Sequence, residues 1–236
     1  MLYDFHTHSF LSDGVLLPSE LIRRAHVKGY GVIAVTDHAG PGNVEEVVDA
    51  LRRECEVVNR YWQITALPGV ELTHIPAASI PEVARRARAA GAAVINVHGE
   101  TVVEPVEPGT NRAAIDCDEV DVLAHPGLLS AQDAARAAAR GCFLEVSARR
   151  GHGFANGHVV RTALAAGAAL LLNSDSHAPE DLLSPEFART VLLGAALPES
   201  ELHTVLEVNP GRLVQRLRAG GRWAGGGVPR PGNVQV

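Results

Sequence analysis

The sequence predicts an α/β fold in which seven parallel strands, separated by helices, wrap into a distorted barrel. Short apolar runs alternate with helical stretches along almost all of the 236 residues. Seven such runs occur: MLYDF, GVIAVT, QITALPGVEL, AAVINV, VDVLA, CFLEVS and ALLLNS. Each ends at or beside a histidine or an acidic residue, as expected where the C-terminal ends of parallel strands open onto one functional face. Eight strands close the usual barrel of this kind, so seven imply a distorted (β/α)7 TIM-like version.

A chain of this length and composition, 46% hydrophobic and 20% charged, suits one domain with a substantial core. The expected boundaries are 1–219 for the barrel and 220–236 for a weakly ordered Gly/Pro-rich tail. A net charge of −6 and 4% aromatic residues argue against a nucleic-acid partner, which calls for a basic surface with stacking rings. Cys55, Cys117 and Cys142 have no CxxC spacing and read as buried thiols of a reducing compartment. The chain opens on a strand, which leaves no place for a signal peptide. No apolar run approaches the ~18 residues of a membrane helix. A cytoplasmic protein with no membrane association is expected.

Helix signals separate the strands. Pro18-Ser19-Glu20 opens a helix that stops at Gly29. A second, over 44–60, places Val47, Val48, Leu51, Cys55 and Val58 on one face. Pro81 opens a third that ends at Gly91, and further helices are expected over 113–117, 131–140 and 157–166 and near the C-terminus. Residues 99–112 read as a long loop over the functional face, and residues 148–156 as a second lid. Long loops in compact domains are usually functional.

The strand ends carry the chemistry. In extended chain, side chains two apart point the same way, so His6 and His8 offer two imidazoles to one ion. His38, His98, His125 and His177 occupy equivalent positions, so six of eleven histidines sit on one predicted face. Glu71, Asp175 and Asp13 supply carboxylates, which can bridge two cations. So many ligands exceed a closed four-coordinate zinc site, and the expectation is two or three divalent ions. Ligation by nitrogen and oxygen without thiolate suits Zn, Mn or Fe. Of the remaining histidines, His26, His203 and His158 read as helix residues and His74 as a loop residue. His152 lies in the second lid, within reach of a substrate.

These motifs, His6-Thr7-His8 with Ser12-Asp13-Gly14, Thr36-Asp37-His38, Gly69-Val70-Glu71, His98, His125-Pro126 and Ser174-Asp175-Ser176-His177, resemble those of the polymerase-and-histidinol-phosphatase (PHP) family. The match runs in order from the first strand to the seventh. The resemblance implies that His6, His8, Glu71 and Asp175 hold a first metal. Glu71 would bridge to a second held by His98 and His125, and Asp13, His38 and His177 would take a third. The segments around 98–111 and 145–159 look like those of compact stand-alone members often described as histidinol-phosphate phosphatases. The chain is shorter than the larger members with that activity. It also carries Ser147 where many relatives have Asn, so the resemblance does not fix the substrate.

Phosphoester hydrolysis suits such a cluster, because cations acidify water and neutralise phosphate oxygens. Glu71, Asp175, His177 and Asp13 are the candidate catalytic groups. Arg149 and Arg150 are placed to clamp phosphate, with His152 and Asn156 lining the pocket beside Glu100, and Asp37 orients an imidazole. The expected substrate is a small phosphorylated metabolite; a nucleotide phosphatase or 3'-5' exonuclease-type phosphodiesterase on the same cluster is the alternative. A binuclear amidohydrolase with a carboxylated lysine bridge is disfavoured, since the only lysine, Lys28, ends a helix far from the functional face. A non-catalytic scaffold would show eroded ligands, and here all the positions are filled.

Overall fold

The computed structural model describes residues 1–223. Seven parallel strands form the wall of the barrel in chain order: β1 (Leu2–Asp4), β2 (Tyr30–Val35), β4 (Thr65–Leu72), β5 (Val94–His98), β6 (Val122–Ala124), β7 (Phe143–Ser147) and β8 (Leu170–Asn173). β3 (His38–Ala39) is a two-residue continuation beyond β2 that pairs with the second half of β4. The seven expected strands are all present. The expected tail falls mostly on residues 224–236, outside the described residues.

The seam between β1 and β8 explains the distortion. These strands form no ladder, yet the chain beyond them is stitched together. Asp175 N donates to His6 O at 2.9 Å and His8 N to Ser176 O at 2.8 Å. Lower down, Phe5 N donates to Asn173 Oδ1 at 2.9 Å. The barrel is therefore closed best at the end where the histidines lie.

Two apolar layers flank the wall. Inside the barrel, Phe5, Val32, Ala34, Leu67, Val94, Val122, Phe143 and Leu171 pack together. Helix α8 (Asn209–Ala219) joins this cluster with Leu213, Val214 and Leu217. Outside, the strands' other faces meet α1 (Pro18–Val27), α2 (Val44–Tyr61), α3 (Ile80–Ala90), α4 (Thr110–Asp116), α5 (Ala131–Arg140), α6 (Asn156–Ala166) and α7 (Pro185–Gly194). The anticipated face of α2, Val47, Val48, Leu51, Cys55 and Val58, is buried. Helix α5 shows both local end signals: Ser130 Oγ accepts from Asp133 N, and Gly141 stops it at φ 71°.

One boundary departs from expectation. Residues 110–112 belong to α4, not to the preceding loop, because Glu100 Oε1 accepts from Gly109 N at 3.0 Å and Asn111 N at 2.9 Å. This cap comes from nine and eleven residues upstream, so local sequence does not announce it. Among the described residues, no helix is long and apolar enough to cross a membrane.

Candidate metal centre

Strand register builds the centre. β3 sets His38 opposite Glu71, and β4 sets Glu71 opposite Asn96 on β5. β5 sets His98 opposite Ala124, so His125 follows immediately beside it. His6, His8, Glu71, His98, His125 and Asp175 are all buried. His38 and His177 are partly open, and the Asp13 side chain, 53% exposed, marks the mouth.

The nine expected ligands converge. His6 Nε2 lies 3.2 Å from Glu71 Oε2, and His8 Nε2 lies 3.3 Å from Asp175 Oδ1. His125 Nε2 lies 3.3 Å from the other Glu71 oxygen. Asp13 Oδ1 stands 3.4 Å from His38 Nε2 and 3.1 Å from His177 Nε2. The donor atoms form groups that could each hold an ion: His6, His8 and Asp175; His6, Glu71 and His125; His8, Asp13, His38 and His177; His98, His125 and His152.

Unmatched lone pairs fit cations to these positions. His6 Nε2, both His8 nitrogens and both Glu71 oxygens are buried without a hydrogen-bond partner. They lie at ion-pair distances but out of line for hydrogen bonds. Buried polar groups are ordinarily satisfied, and cations would engage the free lone pairs of His6 Nε2, one His8 nitrogen and the Glu71 oxygens. Backbone geometry is unusual at the same place, since His125 (φ 26°) and Asp175 (φ 53°) lie in the left-handed region. Such conformations persist where surroundings over-determine them. Here His125 N donates to Glu145 Oε1, and Asp175 N to His6 O.

The side chains also demand positive charge. Burial would raise the Glu71 pKa, yet neighbouring His6 and His38 hold it well below the usual carboxylate value. Burial would likewise lower His6, but Glu145, Glu71 and Asp175 raise it well above an ordinary imidazole. His38 is pushed up to about 10 against its burial, chiefly by Glu71 and Asp13. Burial pushes Asp175 up to about 6. By contrast, burial and neighbouring His38 and His6 push His8 well down, and burial with His125 takes His98 to about 4. His8 and His98 are thus neutral nitrogen donors at pH 7.

The substrate-side residues divide. Arg149, partly exposed, brings Nη1 to 2.7 Å from His177 Nδ1 and lies against the centre. Arg150 is exposed on the same loop. His152 is buried and stacks on His125, with ring centroids 4.0 Å apart, as part of the imidazole cluster. Asn156 is placed otherwise: its amide is spent on Ser147, accepting from N at 3.1 Å and donating to O at 2.8 Å. Asp37 orients no imidazole. It accepts from Ser9 N and from the hydroxyls of Ser9 and Ser12, shaping the loop that carries Asp13. Glu100 Oε1 is spent on capping α4.

Two acidic residues enter without having been assigned a role from sequence. Glu145 Oε2 lies 2.8 Å from His6 Nδ1, leaving Nε2 for the centre. Its place at the end of a strand was the available signal. Glu104, on the loop after β5, reaches His98 and His74; nothing local in the sequence distinguishes it from a solvated loop carboxylate.

The chain is similar to several known proteins. The chain is 46% identical over 218 residues to the uncharacterized protein MJ1295 of Methanocaldococcus jannaschii, covering 92% of this chain and 100% of that protein. A 5'-3' exoribonuclease of Haemophilus influenzae is 37% identical over 71 residues, 30% of this chain and 23% of that protein. Among solved structures, histidinol phosphate phosphatase from Lactococcus lactis, complexed with zinc, L-histidinol and phosphate, superposes with a TM-score of 0.58. That match has 16% identity and covers 84% of this chain and 94% of the other, a likeness of fold. Residues 4–154 match the PHP domain model, and the chain belongs to the PHP domain family.

Proposed function

We propose that the protein is a metal-dependent phosphomonoesterase that hydrolyses a small phosphorylated metabolite, with histidinol phosphate a candidate. The observation that carries this reading is the convergence of buried, unmatched imidazole and carboxylate atoms beside a guanidinium. Two or three divalent ions of zinc, manganese or iron would be held by His6, His8, Asp13, His38, Glu71, His98, His125, Asp175 and His177. Bound there, they would supply Lewis acidity toward phosphate oxygens and lower the pKa of water. The chain supplies the rest. Arg149 grips the non-bridging phosphate oxygens with charge-assisted hydrogen bonds. Glu145 fixes the His6 ring. The oxygen of water forms the new P–O bond as the bond to the alkoxide breaks, and the proton that water gives up neutralises the departing alkoxide; Asp13 and His177 stand at the open rim where the alcohol leaves.

A second reading, nucleotide or 5'-3' exonuclease chemistry on the same centre, is favoured by two exposed aromatics. Phe10 (67% exposed) and Phe154 (79%) sit on the loops after β1 and β7, where their faces could stack bases. A panel of p-nitrophenyl phosphate, histidinol phosphate, AMP and a single-stranded RNA tests both readings. Hydrolysis is expected to vanish in His6→Ala and Asp175→Ala and on chelation. Full activity after exhaustive chelation sinks the metal-dependent reading, and turnover of RNA in preference to monoesters favours the second.

A further inference from the structure

Beyond the centre, the loop of residues 99–109 places a carboxylate among histidines from three other segments. Glu104 Oε2 lies 3.0 Å from His74 Nε2 and 3.1 Å from His98 Nε2. Glu104 Oε1 lies 3.4 Å from His152 Nε2. The rings of His74 and His98 approach to 4.8 Å between centroids. One donor atom each from His74, His98 and Glu104 lies within 4.8 Å of the others, the spacing of ligands around one ion.

A plain ion pair accounts poorly for this arrangement. His74 and Glu104 are both more than a third exposed, where an ion pair contributes little. Yet His74 holds a left-handed backbone at φ 50°, which is unfavourable for a residue with a Cβ. Something must repay that conformation. To serve both sites His98 would bridge as an imidazolate, its ring proton released to solvent on binding, with Nε2 at the rim and Nδ1, buried without a hydrogen-bond partner, left for the centre. The loop is also tied to the same neighbour at a second point, where Ala77 N donates to Glu107 Oε2 at 2.8 Å.

We propose that His74, Glu104 and the Nε2 of His98 form an additional divalent-cation site at the rim of the centre, and that filling it latches residues 99–109 over the pocket. Two imidazoles and one carboxylate suit zinc or a similar transition metal and leave a position open. The site rests on the metal-centre reading, because it shares His98. It adds two ligands, His74 and Glu104, that the centre does not use.

Equilibrium dialysis against zinc, followed by metal analysis, tests this on the full chain, wild type beside His74→Ala and Glu104→Gln. Each variant is expected to hold one ion fewer than wild type. Zinc is also expected to slow amide hydrogen exchange across 99–109 in wild type and not in either variant. Equal, non-zero counts with equal loop protection overturn the rim site and leave the centre standing. Loss of more than one ion in both variants also overturns it, since Glu104 and His74 would then serve the main centre. A wild type that binds no zinc overturns the centre and the rim site together.

Discussion

His6 Nδ1 lies 2.8 Å from Glu145 Oε2, with both side chains fully removed from solvent. Glu145 is in turn held by Asn173 Nδ2 at 2.8 Å and by the backbone N–H of His125. One carboxylate therefore sets the orientation of two candidate ligands. It also fixes the tautomer of the neutral His6 ring, with Nδ1 protonated and Nε2 free. Glu145→Gln keeps the shape and removes the charge. Zinc affinity is expected to fall roughly 10- to 100-fold, the usual effect of losing a partner behind a ligating histidine. Competition against a chromophoric chelator measures it, and unchanged affinity would remove Glu145 from the centre's support.

Asp4 gives a prediction for stability. It is fully buried at the seam, accepting from His6 N and Ser174 N. Burial pushes its pKa up to about 7, with the Ser174 and His6 hydrogen bonds opposing. Because the folded value lies above the unfolded one, the folded state prefers the protonated acid. Its contribution is complete below about pH 4 and is lost as pH rises through about 7. Urea unfolding in chelator should therefore show wild type losing, on the order of, 2–4 kcal/mol relative to Asp4→Asn between pH 4 and 8. Parallel pH profiles for the two proteins would contradict the assignment.

The barrel was legible in the sequence because parallel strands put ligands at their C-terminal ends, so that apolar runs ending in His, Asp or Glu point to one mouth. The nine candidate ligand positions follow from that rule together with the family motifs. Other polar partners were not legible. Asn156 pairs with the Ser147 backbone, Asp37 with Ser9 and Ser12, and Glu100 with the start of α4. Strand and helix periodicity fixes the face on which a side chain lies. It carries no information about which backbone group a folded loop brings within hydrogen-bonding distance.

Gly127 holds the turn after His125 against the loop after β5. Its φ is +63°, and a Cβ added there would come within 1.9 Å of Glu100 O, a backbone atom that cannot swing aside. His125 stands two residues earlier. Gly127→Ala should cost about 1–3 kcal/mol from the left-handed backbone, with the steric clash adding to it. It should also displace His125 and so depress turnover. A melting temperature equal to wild type would mean that the loop relaxes freely.

Cation binding must compete with protons. His6 is raised well above the ordinary imidazole value, His38 to about 10, and His125 is also raised, in each case because neighbouring carboxylates outweigh burial. In chelated protein at pH 7 His6 and His38 are protonated and His125 holds its proton more tightly than a free imidazole, whereas ligation requires a free nitrogen lone pair. Their protonation stabilises the chelated fold fully below about pH 6.5, and for His38 this is lost as pH rises through about 10. Zinc binding at pH 7 should therefore release on the order of one to three protons, and affinity should rise with pH. Calorimetric titration in buffers of different ionisation enthalpy counts them. Binding heats independent of the buffer would show that the imidazoles were already neutral and that the carboxylates do not hold the centre's charge as described.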